Sequence, residues 1–133
     1  MTNWPEKLAN DLSDVIPDVP IYSNVDPNRD YMGGKTVEFN VQKLENAPLL
    51  SGGVFKIYSI VAACRDLTYG KADELLNQIR GALEPILQGY TRDELAMNAF
   101  VSTSEITPDA RGIIEGESFY GLLNIVITET IKG

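Results

Sequence analysis

The residue types that most often carry enzyme chemistry are scarce in this chain. It contains no histidine and a single cysteine, Cys64. Because imidazole is the commonest general base and zinc ligand, its absence excludes hydrolytic triads and histidine-based metal sites. One cysteine can form neither an internal disulfide nor a thiolate metal site. At the end of an apolar segment, Cys64 is expected to be a small buried hydrophobic side chain.

Carboxylates are the remaining candidates for acid–base chemistry. Asp109 could converge with Glu115 or Glu117, and Asp73 and Glu74 could converge with an acid from a loop. All of them lie in polar, turn-rich segments or on the solvent side of a predicted helix, where burial that would raise a carboxyl pKa is least expected. The sequence therefore favours solvated surface acids, no cofactor, and a protein that is not an enzyme.

A turn-rich segment near the start of the chain partly matches a calcium-binding loop. Asp26, Asn28 and Asp30 have the spacing of the first three ligands of an EF-hand. However, Tyr31 replaces the required glycine, and Val37 stands where the bidentate glutamate should be. The match therefore fails, and the sequence predicts no metal.

The same segment ends with Gly34, Lys35 and Thr36, which copy the end of a phosphate-binding P-loop. Arg29 stands where the first glycine of that motif belongs, and a strand pattern follows instead of a helix. Nucleotide binding is therefore not predicted. The whole segment 24–35 is dense in turn formers and predicts a long exposed loop, which is either mobile or ordered by a partner.

The composition is that of one globular domain. The chain has 133 residues, of which 44% are hydrophobic and 23% charged, and its formal net charge is −8. With 11 basic residues against 19 acidic ones, it lacks the clustered Lys and Arg of phosphate-binding surfaces. No apolar run approaches the ~20 residues that span a bilayer, and the first residues lack a signal-peptide pattern. We expect a single domain over residues 1–133, made and kept in the cytosol and not in a membrane.

Two amphipathic helices are predicted. Asn3 and Glu6 form a capping box for the first, which ends before a proline. The second covers residues 68–88, with its aliphatic side chains on one face. Within it, Pro85 predicts a kink or an altered last turn, and Gly89 predicts the end of the helix.

The other regular segments are strands. They are predicted at 20–23, 37–42, 54–64, 99–106 and 119–131. The strand at 54–64 is apolar on both sides, which predicts that both of its faces are covered, and it is expected to pair antiparallel with the strand before it. The last strand is about twice the usual length, which predicts an overhang with an unpaired edge.

The resulting element order is α-β-β-β-α-β-β. It predicts an α+β fold with a mixed, mainly antiparallel sheet of about four to five strands and two helices packed on one face. Long exposed loops are predicted at 24–35 and 107–116, because both segments are rich in turn residues.

This order, the chain length and several local segments resemble the tail terminator, or tail completion, proteins of tailed bacteriophages. The resemblance starts with the N-terminal helix, a short strand and a long loop, and covers nearly the whole chain. It rests further on Pro20-Ile21-Tyr22, on Phe55 to Val61 followed by Arg65-Asp66, on the helical residues Ala72, Leu75, Leu76, Ile79 and Leu83, and on the closing strand Leu122 to Thr128.

The resemblance implies a structural virion protein. Proteins of that family look like small subunits that assemble as a ring, commonly a hexamer, on the last ring of the tail tube. The ring ends tube polymerisation and provides the docking surface for the head connector, while DNA passes through its lumen without specific binding. The implied partners are other copies of this chain, the tail tube protein and the head–tail connector protein. The implied location is the virion tail, with the host cytoplasm during assembly.

The resemblance also makes the two long loops candidate contacts with partner rings. The candidate residues are Arg29, Asp30, Tyr31, Met32, Gly33, Gly34 and Lys35 in the first loop, and Asp109, Arg111, Glu115 and Glu117 in the second. Two alternatives stay open. Another phage head–tail adaptor or tail-tube subunit would form rings of another symmetry or long tubes on its own, and an unrelated small cytosolic binding module would stay monomeric or dimeric.

Overall fold

The computed structural model describes residues 2–23, 35–48, 52–109 and 118–131. Within these ranges the helices are α1 (Trp4–Val15) and α2 (Tyr69–Arg92). The strands are β1 (Ile21–Ser23), β2 (Thr36–Pro48), β3 (Val54–Asp66), β4 (Asn98–Thr103), β5 (Thr107–Asp109) and β6 (Ser118–Ile131). The predicted α+β class and element order are confirmed, and β5 is an additional strand in a segment that was predicted to be a loop.

The sheet is mixed and mainly antiparallel, with the strand order β1-β2-β3-β6-β4 and with β5 beside β6. β1 is parallel to β2, and the other strand pairs are antiparallel. The predicted antiparallel pairing of β2 with β3 is confirmed. β2 is longer than predicted, because it continues past residue 42 to Pro48 through an irregularity between Val41 and Lys43.

The predicted overhang of the last strand is wrong. β6 pairs with β3 from Phe119 to Ile131, and its other edge pairs with β4 and β5. This is possible because β3 has 13 residues and β6 has 14, so that the two strands match in length. In the described part of the chain the long unpaired edge lies on β2, because β1 pairs only with Val37 to Phe39.

The hydrophobic core lies between one face of the sheet and the two helices. From Tyr58 to Ala62 of β3 every second side chain is buried, and these side chains lie opposite buried residues of β6. The aliphatic face of α2 packs on them as predicted, through Ala72, Leu75, Leu76, Ile79, Leu83 and Leu87. The helix approaches the sheet so closely at Gly121 that a Cβ there would lie 2.9 Å from Leu76 Cδ2.

The first helix starts as the sequence predicts. The Asn3 side chain accepts a hydrogen bond from the Glu6 backbone N–H at 3.3 Å, and α1 ends at Val15, two residues before Pro17. Trp4, in the first turn, is fully buried together with Leu8 and Leu12. Capping and periodicity together therefore place α1 on the sheet with its N-terminal turn in the core.

The second helix ends later than predicted. It continues without a break through Pro85 and past Gly89 to Arg92. The reason is tertiary, since Tyr90 in the last turn is buried and its hydroxyl donates to Asp11 of α1 at 2.5 Å. The predicted kink at Pro85 stays a prediction.

A Schellman motif terminates α2. The N–H of Leu95 donates to the Tyr90 carbonyl at 2.9 Å, and the N–H of Glu94 donates to the Thr91 carbonyl at 3.2 Å. Glu94 has a φ of 61°, the left-handed conformation that usually requires glycine. Neither helix in the described ranges is long and apolar enough to cross a membrane.

Candidate interaction surface

The structure describes only parts of the two predicted contact loops. In the first loop, Arg29, Asp30, Tyr31, Met32, Gly33 and Gly34 lie outside the described residues, while Lys35 is exposed immediately before β2. In the second loop, Arg111, Glu115 and Glu117 lie outside them as well, and Asp109 is the last residue of β5, where it pairs with Ser118.

The sheet brings the borders of these two loops to the same end. One row of paired residues crosses the sheet at this end. It consists of Thr36 of β2, Arg65 of β3, Tyr120 of β6 and Thr107 of β5. Lys35 and the end of β5 are therefore separated across the sheet by about three strand spacings, or ~14 Å. Sequence reasoning placed both loops on the surface but could not show that they border one end.

A cavity of about 260 Å³ lies at this end, beside the start of α2. It is lined by Lys35, Asp66, Lys71, Glu74, Leu75 and Gln78. The Asp66 carboxylate accepts a hydrogen bond from the Leu67 N–H at 2.7 Å, and the other charges in the lining are of both signs. Within the described ranges no group of three or more His, Cys, Asp or Glu side chains could hold a metal ion. The cavity thus presents mixed charges and no nucleophile paired with a base.

The opposite face of the sheet carries no helix in the described part of the chain, and we call it the helix-free face. The pairing register places on it the alternate residues of β2, β3, β6 and β4 that point away from the core. Its apolar side chains are partly exposed, and none of them packs against the core cluster. They are Phe55, Ile57 and Val61 of β3, Leu122 and Val126 of β6, and Phe100 of β4.

This arrangement corrects the prediction that both faces of the strand at 54–64 are covered. Phe55, Ile57 and Val61 are only half-buried, whereas Tyr58, Ile60 and Ala62, which face the helices, are buried. Phe100 is 60% exposed, slightly more than Tyr69 at 58%. Exposed apolar residues that lie next to one another on a sheet face are typical of an interaction surface.

The charged residues of the helix-free face on β2, β3, β6 and β4 form two pairs of opposite sign. Arg65 donates to Glu38 in a buried ion pair, and its guanidinium lies 5.7 Å from the centre of the Tyr120 ring. Lys43 pairs with Glu45, and the hydrogen bond between them raises the pKa of the lysine. On these strands the face therefore has no net charge, although the chain carries −8.

The hairpin end of β2 and β3 forms a second exposed element, which we call the arm and define as residues 41–48 and 54–57. On its β2 side every residue except Ala47 is exposed, and the outer edge of that strand has no partner strand in the described ranges. Val41 and Leu44 lie on the helix side of the sheet, yet they are 43% and 46% exposed. The arm therefore presents apolar side chains on the side opposite to Phe55 and Ile57.

A cluster around Trp4 holds the base of the arm. The Trp4 indole N–H donates to the Glu129 carboxylate at 3.4 Å, and its ring lies 6.3 Å from Tyr58 and 5.3 Å from Tyr90. Burial, followed by the nearby Glu129 charge, raises the pKa of Tyr58. Sequence reasoning missed these residues, although the tryptophan directly after the Asn3 cap was a signal that the first turn is buried.

No protein-family model matches the sequence, and no curated protein is similar to it.

Proposed function

We propose that this protein is a structural virion subunit that assembles with copies of itself into a ring on the end of a phage tail tube. The ring ends tube polymerisation and provides the surface to which the head connector docks. The observation that carries the proposal is the helix-free face, which exposes apolar side chains and whose charged residues on β2, β3, β6 and β4 are paired, on a chain whose net charge is −8.

Self-association follows from the distribution of charge. Copies of an acidic chain repel one another wherever unpaired acids meet, so their contacts are favoured on surfaces where charge is balanced. On the helix-free face both ion pairs are internal to one subunit, and the residues between them, among them Asn40, Ser59 and Val61, are uncharged. A neighbouring copy can therefore cover this face without leaving an unpaired charge.

The acidic surface of α1 supports a role in which DNA passes nearby without adhering. Exposed or half-exposed acids lie on and after α1 at Glu6, Asp11, Asp14 and Asp18, against the single lysine Lys7. Negative side chains repel the DNA backbone, since binding to DNA requires positive groups that neutralise phosphates. The resemblance in element order to tail terminator proteins is the reason for proposing this kind of ring and not another assembly.

Two measurements test the proposal. Native mass spectrometry of the purified protein, alone and mixed with tail tube protein, is expected to detect a closed ring of one stoichiometry. Electron microscopy of polymerising tail tube protein is expected to show shorter, capped tubes when this protein is added. Long tubes formed by this chain alone would favour a tail-tube subunit, and unchanged tube length together with a monomer or dimer would favour an unrelated binding module.

A further inference from the structure

We infer that neighbouring copies meet head to tail, with the arm of one subunit lying on the helix-free face of the next. This inference rests on the proposed ring, and it identifies the two surfaces that form the ring contact. The observations behind it are the exposed apolar side chains of the arm, those of the face, and the balance of charge on both.

The two surfaces are matched in polarity. On the helix side of the arm, β2 presents the uncharged Val41, Leu44 and Asn46, and Lys56 of β3 lies level with Glu129 of β6, which has the opposite charge. The helix-free face presents Val126 and Phe100, which lie directly opposite each other on β6 and on the edge strand β4. Apolar surface on each side is removed from water when they meet, and no unpaired charge is buried.

The contact is head to tail because the two surfaces lie on opposite sides of the sheet. Leu44 is level with Tyr58, whose side chain faces the helices, whereas Phe100 is level with Val126, whose side chain faces away from them. A two-fold contact between two helix-free faces would leave Val41 and Leu44 in water. A contact between two different surfaces can cover both and, if the rotation closes, it produces a ring.

A contact through the side chains of the arm is favoured over a contact in which another strand pairs with the free edge of β2. That edge has an irregularity between Val41 and Lys43, the charged residues Lys43 and Glu45, and a proline at its end. Bulges, charges and prolines are the features by which edge strands avoid pairing with other strands. The side-chain surface of the arm, and not its backbone edge, is therefore the part that makes the contact.

The experiment introduces one negative charge on each surface and uses one matched control, all in the full chain. Phe100→Glu changes the face, Leu44→Glu changes the arm, and Val15→Glu makes the same charge change at a residue of α1 that is 58% exposed. Sedimentation velocity over a range of concentrations measures self-association, and circular dichroism checks that each variant is folded. Phe100→Ser and Leu44→Ser replace the glutamate variants if folding is impaired.

We expect Phe100→Glu and Leu44→Glu each to weaken self-association by about 30-fold or more, as loss of a central interface residue does, while Val15→Glu still forms the ring. Mixing Phe100→Glu with Leu44→Glu is expected to give heterodimers and no larger species, since one intact arm and one intact face remain. Three outcomes would overturn the inference but leave the proposed ring. They are a ring formed by either single variant, a mixture that stays monomeric, and loss of association in Phe100→Glu but not in Leu44→Glu. A parent protein that neither self-associates nor shortens tubes would overturn the proposed function itself.

Discussion

The indole N–H of Trp4 donates to the carboxylate of Glu129 over 3.4 Å and so connects the first turn of α1 to the end of β6. The same indole ring lies against Tyr58 of β3 and Tyr90 of α2. One side chain thus joins both helices to the two central strands at the base of the arm. The orientation of the arm relative to the helices depends on this cluster.

Trp4→Ala is expected to lower the free energy of unfolding by about 3–5 kcal/mol, because it removes a fully buried aromatic side chain and leaves a cavity. Trp4→Phe is expected to cost less, since it keeps most of the ring contacts and loses the hydrogen bond to Glu129. Urea unfolding followed by circular dichroism measures both. Val15→Ala, at an exposed position of the same helix, is the control and is expected to change the free energy by less than about 0.5 kcal/mol.

Arg65→Met is expected to destabilise the fold by about 3–5 kcal/mol, because it leaves the buried Glu38 carboxylate without its cationic partner. The double variant Arg65→Met/Glu38→Gln is expected to recover much of this loss, since no unpaired charge stays buried. Urea unfolding of the full double-mutant cycle measures the coupling between the two residues. If the changes in the free energy of unfolding caused by the two single substitutions were additive, the buried pair would be contradicted. Lys43→Met, which removes an exposed cation, is the matched control and is expected to have little effect.

Glu94→Gly is expected to stabilise the protein by about 1 kcal/mol. Glu94 has a φ of 61° at the position of the Schellman motif that glycine usually occupies, and a residue with a Cβ costs about 1–2 kcal/mol there. Thermal unfolding is expected to shift to higher temperature by a few degrees. Glu84→Gly, an exposed glutamate in the middle of α2, is expected to act in the opposite direction by a similar amount.

Alkaline pH is expected to destabilise the protein through Cys64 and Tyr90. Burial raises the pKa of the Cys64 thiol from 9.0 to about 12, and burial followed by the hydrogen bond to Asp11 raises the pKa of Tyr90 above its usual 10.0. In the folded state both groups keep their protons at pH values where the unfolded chain has lost them. Their contribution to stability is therefore complete below about pH 9 and is lost as the pH rises toward 12, at up to ~1.4 kcal/mol per pH unit for each group.

Urea unfolding between pH 8 and pH 11 measures this slope. Cys64→Ala and Tyr90→Phe are each expected to flatten it, because each removes one group that releases a proton on unfolding. Tyr69→Phe, at an exposed tyrosine, is the control and is expected to keep the parent slope. An equal slope in Cys64→Ala and the parent would show that the thiol does not contribute.

The sequence by itself determined the local elements. The Asn3 cap and the aliphatic face of α2 were both correctly predicted, because a cap or a period depends on residues within a few positions of one another. Their number and order were sufficient for the α+β class, with both helices on one face. The predicted loop residues of the candidate site lie mostly outside the described ranges, so for them the sequence remains the only argument.

The tertiary structure decided the features that depend on distant residues. α2 passes Gly89 because Tyr90 reaches Trp4 and Asp11 on another helix, and the free edge lies on β2 because β3 and β6 match in length. The helix-free face was visible in the sequence only as apolar residues on both sides of one strand. Its balance of charge depends on Arg65 meeting Glu38 across 27 positions of the chain, a pairing that the strand register sets and that no local pattern encodes.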